Sequence, residues 1–150
     1  MALTKVDQKL TEEIPSCRYT TSVTTAIAAT IDPIPFATQD FDTTSSYSSP
    51  TYTVPSDGIY DIGAQLDGIF NTLATNQGFN IFIYKNGASV AASRTIGTNA
   101  PVTPYIATVR TKLRLVAGDT IVIRAQSNGT AGALSGDPTL NFMDITKISN

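Results

Sequence analysis

The sequence predicts an all-β domain, a sandwich or jelly roll, on three observations. Short runs of alternating apolar and polar residues recur from Cys17 to the C-terminus. Turn signals rich in Gly, Pro, Asn, Asp and Ser separate them. No long stretch carries a convincing helical period. About eight to ten short strands follow from this punctuation.

The elements are read in chain order. Residues 1–16 form a separate segment with five charged residues, Lys5, Asp7, Lys9, Glu12 and Glu13, ending near Pro15. Val6, Leu10, Glu13 and Ile14 could line one side of a short helix, which is marginal alone in water. The segment is read either as an anchoring tail that orders against a partner, through Val6, Leu10 and Ile14, or as a frayed terminus. "CRYTTSV" is a first strand, and "TIDPIPFATQDFDTTSSYSSP" holds only brief edge strands. "TYTV" stops at Pro55. In "IYDIGAQLDGIF", Tyr60, Ile62, Ala64 and Leu66 share one face, and Asp61, Gly63, Gln65 and Asp67 the other.

"GFNIFIYK" then reaches "NG", a strong hairpin signal, before "ASVAASR". In this strand Ile81 and Ile83 point one way while Phe82 and Tyr84 point the other, so both faces need cover. A polar loop is expected through Pro104. "ATVRTKLRLV" follows, with Arg110, Lys112 and Arg114 in an outward row and Arg124 expected on a neighbouring strand. "AGD" turns into "TIVIRAQ", "SNGTAGALSGDP" reads as a long loop, and "TLNFMDITKI" closes the domain. Adjacent Phe142 and Met143 imply a bulge or a strand covered on both faces.

The bulk properties exclude several functions. At 150 residues the chain suits one domain. With 41 % hydrophobic and only 15 % charged residues, its surface must be rich in uncharged polar groups. A net charge of −2 argues against sequence-independent nucleic-acid binding, which needs excess Lys and Arg. No apolar window spans a membrane. The start lacks a signal-peptide core, so assembly in a cytoplasm is expected.

Histidine is absent, which removes the usual general base, the Ser-His-Asp triad and most zinc sites. The single Cys17 excludes an intrachain disulfide and thiolate clusters. Asp61 and Asp67 share a predicted face, but six residues place them roughly 20 Å apart, too far for paired-carboxylate glycoside hydrolysis. They are expected to be solvated. Asp32, Asp40 and Asp42 are sparse for a calcium loop, and the sequon at Asn128 reads as a turn. No catalytic residue, cofactor site or metal site is predicted. The row Arg110, Lys112 and Arg114 is either a site for an anion or a partner's carboxylates, or a solvated face offset by Asp61 or Asp67.

Four phrases, "YTVPSDGIYDIGAQL", "IFIYKNGASVAAS", "TKLRLVAGDTIVIRAQSNG" and "LNFMDITKI", occur in an order that resembles the globular-head family of the complement q subunit, related in fold to tumour necrosis factor. The resemblance covers residues 17–148. "RYTTSV" and "IPFATQDFDTTSSY" look like bacteriophage and bacterial members more than animal ones, and the start "MALTKV" resembles short leaders of phage particle proteins. The resemblance implies a ten-stranded jelly-roll sandwich over residues 17–150 that assembles as a compact homotrimer.

A trimer would cover the second face of "IFIYK", making Phe82 and Tyr84 candidate interface residues; a fold-over of the loop "TNAPVTPYIAT" competes. The implied function is a non-enzymatic virion structural protein, either a head decoration or head fibre, or a tail-associated tip. Residues 1–16 would dock it to a capsid or tail protein, and host-surface glycan is a candidate ligand of its loops near 95–104 and 127–138. The alternative is a secreted trimeric receptor-binding ligand.

Overall fold

A computed structural model describes residues 13–150, apart from the side chains of residues 102 and 103. Val6 and Leu10 of the expected anchor lie outside the described residues. Thirteen strands and no helix occur among those described: β1 (Ser16–Thr20), β2 (Ala26–Ile27), β3 (Asp32–Pro33), β4 (Thr38–Asp42), β5 (Tyr47–Ser48), β6 (Thr51–Thr53), β7 (Gly58–Thr72), β8 (Gly78–Lys85), β9 (Ala88–Ile96), β10 (Pro101–Leu115), β11 (Thr120–Ser127), β12 (Gly132–Leu134) and β13 (Phe142–Ser149).

Ten of these make two antiparallel five-strand sheets. In sheet A the order is β4-β1-β13-β7-β10, and in sheet B it is β5-β6-β11-β8-β9. The remaining three are short additions: β12 and β2 extend sheet A beside the end of β7, and β3 pairs with β11. This is the expected jelly-roll sandwich. The three brief pairings were not separable from loops in the sequence, because two or three residues carry no period.

Alternation explains which side chains fill the space between the sheets. From β7, Tyr60, Ile62, Ala64, Leu66 and Phe70 point inward, and from β8, Phe79, Ile81 and Ile83 do; all are at most 2 % exposed. Phe70 packs on Phe79 at 5.4 Å and on Tyr105 at 5.9 Å between ring centroids, tying the layers together through three strands. Cys17 is fully buried in the same core, and loss of water pushes its thiol up to about 12.

The β8–β9 hairpin turns at Asn86 and Gly87, both with positive φ, 49° and 81°, as a two-residue mirror-image turn requires. The turn is tied to the next one along. Asp119, 7 % exposed, accepts hydrogen bonds from Lys85 Nζ (2.9 Å), the Val116 N–H (2.9 Å) and Asn86 Nδ2 (2.7 Å). These donors favour the carboxylate and hold its pKa down at about 2.

Three expectations change. Pro104 is inside β10, not in a loop, because β10 is the edge strand of sheet A and its prolines need no ladder donor on the open side. For the same reason residues 101–108 pair with β7 and do not fold over β8. Phe142 and Met143 involve no bulge: Met143 enters the core, while Phe142 lies outside under the Arg18 guanidinium, 4.0 Å from the ring centre.

Candidate interaction surface

Sheet A leaves most of its second face open. That face takes every other residue of the strands just described: Arg18 of β1; Phe142, Asp144 and Thr146 of β13; Asp61, Gly63, Gln65 and Ile69 of β7; and Ile106, Thr108, Arg110, Lys112 and Arg114 of β10. Phe41, directly across from Arg18, belongs to it too. Three large apolar side chains stand out into solvent here: Phe41 (46 % exposed), Ile69 (40 %) and Ile106 (48 %).

The basic row resolves into two kinds of cation. Arg110 makes a two-pronged contact with Asp61 (Nε–Oδ1 2.9 Å, Nη2–Oδ2 3.0 Å) and lies 3.7 Å from Asp144. The hydrogen bonds from Arg110 to Asp61, then the nearby Asp144 charge, raise its already high pKa. Gly63 sits between Asp144 and Arg110 in the same cross-strand row. A Cβ there would lie 2.9 Å from Asp144 Oδ1, so the missing side chain is what lets Asp144 lean towards Arg110. Lys112 and Arg114 have no ion-pair or hydrogen-bond partner among the described residues. The outward row therefore stands as read; Asp61 offsets it at one position, and Asp144, an outward residue of "FMDI" that alternation could have found, adds to that.

Asp67 is a correction. Alternation puts it on the open face, yet it is only 4 % exposed. Residues 135–141 run over this part of β7: the Ser135 N–H donates to the Asp67 carbonyl (2.9 Å), and the Asp67 N–H donates to Asn141 Oδ1 (2.8 Å). Asp67 Oδ1 has no hydrogen-bond partner among the described residues. It is a buried carboxylate rather than a solvated one, and it offsets no charge on β10.

Phe82 and Tyr84 point away from the core on sheet B, as their alternation requires, and are half-buried. Part of their cover comes from within the subunit. Arg124, across from Phe82, lays its guanidinium 4.8 Å from the centre of the Tyr84 ring and donates from Nη1 to the Ile31 carbonyl at 3.2 Å. The two rings meet edge to face at 6.2 Å.

The two ends of the sandwich differ. Ile14, 62 % exposed, leaves beside Thr43, whose Oγ1 donates to the Ile14 carbonyl, and Pro15 accepts from the Lys147 N–H. The turns around Asp57, Asn86 and Gly118 lie at this end. Loops 73–77, 97–100 and 128–131 gather at the other, joined by Gly97 N–H to Gln77 O (3.0 Å), Asn99 N–H to Leu73 O (3.0 Å) and Asn128 N–H to Gly78 O (3.1 Å). The 15 residues of β7 separate the ends by about 45 Å.

The remaining candidates are dispersed. Asp32 is bonded by Thr30, Asp40 by Arg18 and Asp42 by Tyr19 and Tyr47, and no group of three metal-ligating side chains occurs among the described residues. Asn128 is at the start of a turn and accepts from the Gly78 N–H. A shallow open depression of about 450 Å³ lies between Arg18, Thr20, Thr38, Asp40, Pro138 and Thr139, but its one cation is already engaged by Asp40 at 3.1 Å.

The two-sheet order is that of a jelly roll. Solved structures with this fold include the Eiger TNF of S. frugiperda (TM-score 0.70, 12 % identity, covering 91 % of this chain and 94 % of that one). The globular domain of the zebrafish complement 1qA protein matches with TM-score 0.67 and 12 % identity over 91 % and 99 % of the two chains. Murine APRIL matches with TM-score 0.67 and 13 % identity over 91 % and 100 %. At these identities the likeness establishes the fold. No protein-family model and no curated protein sequence matches the chain.

Proposed function

We propose that this chain is a non-enzymatic module that associates with itself as a homotrimer through the open face of sheet A and is displayed on a phage particle. The observation that carries the self-association is the part of the sheet A face that residues 135–141 leave uncovered, with Phe41, Ile69 and Ile106 exposed between polar and charged rows. Ile69 and Ile106 are diagonal neighbours on β7 and β10, and an apolar cluster rimmed by polar groups on an open sheet face is the pattern of a contact surface. This placement moves the interface from Phe82 and Tyr84, on sheet B, to sheet A. Those two rings already have partial cover from Arg124.

The separation of the two ends supports a docking role. Residues 13–15 lie at one end, and three loops stand together about 45 Å away at the other. In this reading the leader grips a capsid or tail protein, and the far loops meet the exterior, with host-surface glycan as their candidate ligand. The phage assignment rests on the resemblance of "MALTKV" to leaders of phage particle proteins, with "RYTTSV" and "IPFATQDFDTTSSY" resembling bacteriophage and bacterial members more than animal ones.

Gold-labelled antibody against the protein, applied to intact particles and viewed by electron microscopy, tests the placement. Label over heads assigns a decoration or head fibre, and label at tails assigns a receptor-binding tip. Particles without label overturn the virion reading and favour the secreted trimeric ligand.

A further inference from the structure

The chain holds two Asn-Gly pairs, Asn86-Gly87 and Asn128-Gly129, and both asparagines are exposed in turns. An asparagine followed by glycine is chemically labile, because glycine has no side chain to hinder its own N–H from reaching the asparagine side-chain carbonyl. The two pairs stand at opposite ends of the sandwich, and their electrostatic surroundings are opposite too.

At Asn128 the surroundings favour attack on the side-chain amide. Its Oδ1 accepts from the Gly78 N–H at 2.5 Å, and Arg94 Nη2 stands 3.5 Å away. Gly78 makes room for that guanidinium: a Cβ there would collide with Arg94 Cγ, Cδ and Nε. Arg94 Nη2 also donates to the Asn76 carbonyl at 3.1 Å, which holds it over the loop. An N–H and a cation at a carbonyl oxygen stabilise the negative charge that develops there when the carbon is attacked. The Gly129 N–H donates to Ser127 Oγ (3.3 Å), whose own proton goes to the Thr130 carbonyl (2.7 Å). Asn128 Nδ2, the group that must leave, has no hydrogen-bond partner among the described residues.

Asn86 is held the other way. Its Nδ2 donates to Asp119 Oδ1 at 2.7 Å, and its Oδ1 accepts from the Thr120 N–H (2.8 Å) and Oγ1 (3.2 Å). Loss of that amide nitrogen would set a second carboxylate against Asp119, and like charges so close oppose each other. A carboxylate at 128 would instead face a guanidinium and an N–H. We propose that Asn128-Gly129 is a self-modification site, which converts to an aspartyl or isoaspartyl residue while Asn86-Gly87 keeps its amide. The Gly129 nitrogen bonds to Asn128 Cγ, the Cγ–Nδ2 bond breaks, and ammonia leaves with the proton that Gly129 gives up. Water then opens the five-membered imide at either carbonyl and leaves a carboxylate beside Arg94. The change adds a negative charge to the loop cluster at the far end, and it does not depend on the trimer reading.

The test incubates the full folded chain at neutral pH and follows its tryptic peptides by mass over time, beside the same chain unfolded in urea. Cleavage after Lys85 and Arg124 puts the two asparagines in separate peptides. In the folded chain Asn128 should convert about tenfold or more faster than Asn86, and urea should bring the two rates within about threefold. Arg94→Gln, checked for retained strands by circular dichroism, should slow Asn128 by about threefold to fivefold, the effect of an exposed charge at this distance, and leave Asn86 unchanged. A folded chain in which Asn86 converts as fast as Asn128 overturns the site. So does a folded chain that keeps both amides over the time in which urea consumes both. An Asn128 rate unaltered by Arg94→Gln overturns the part assigned to the guanidinium.

Discussion

Replacing Asp119 by Asn would test how the two turns at the leader end are held together. Lys85, Asn86 and the Val116 N–H all donate to this one carboxylate, which is 7 % exposed. Its pKa falls from the ordinary 3.8 to about 2. At about 1.36 kcal/mol per pH unit, that difference contributes about 2 kcal/mol to stability at neutral pH. Because the folded pKa is the lower one, the contribution is complete above pH 4 and disappears as pH falls from about 4 to about 2. The amide introduced by the substitution would also turn an NH₂ group towards donors, so the wild type should exceed Asp119→Asn by about 2–3 kcal/mol at pH 7. Denaturant melts at fixed protein concentration, taken at intervals from pH 7 to pH 2, would measure the gap. It should narrow steadily below pH 4. A gap of equal size at pH 6 and pH 2 would refute the carboxylate as its source.

Other outcomes follow from the same geometry. Phe79→Ala removes a fully buried ring that packs on Phe70, and denaturant titration should show a loss of about 3–5 kcal/mol. Arg110→Ala breaks a pair whose arginine side chain is 61 % exposed, and the same titration should show a change of no more than about 1 kcal/mol. Cys17 is buried and its thiol is pushed up to about 12, so a thiol reagent at pH 8 should label it only as fast as the domain opens. Labelling at the rate of a free thiol would contradict that burial.

The strands with a long period were legible because burial is local in its pattern. Tyr60, Ile62, Ala64 and Leu66 announce the inner side of β7, and "YKNG" announces the β8–β9 turn. What sequence could not supply was long-range cover. Asp67 obeys the alternation yet is buried, because residues 135–141 cross over it from about seventy positions away. Pro104 reads as a breaker until β10 is known to be an edge strand. The two-sided strand "IFIYK" asks for cover on its second face, and part of that cover is Arg124 on β11, which no local pattern announces. For the candidate surface, the outward row of β10 was readable; its division into Arg110, gripped by Asp61, and Lys112 and Arg114, without a partner among the described residues, depends on side-chain reach across β7 that alternation does not fix.

The central claim is self-association through the open face of sheet A, and the mass of the native particle tests it most directly. Sedimentation equilibrium would compare the wild type with Ile106→Glu and with Phe82→Ala/Tyr84→Ala. Ile106 is 48 % exposed, so its replacement by a charge leaves the subunit's own packing intact. The account predicts three times the chain mass for the wild type, a single chain mass for folded Ile106→Glu, and a preserved trimer for Phe82→Ala/Tyr84→Ala. A trimer that survives Ile106→Glu but dissociates on loss of Phe82 and Tyr84 would place the interface on sheet B and contradict the account.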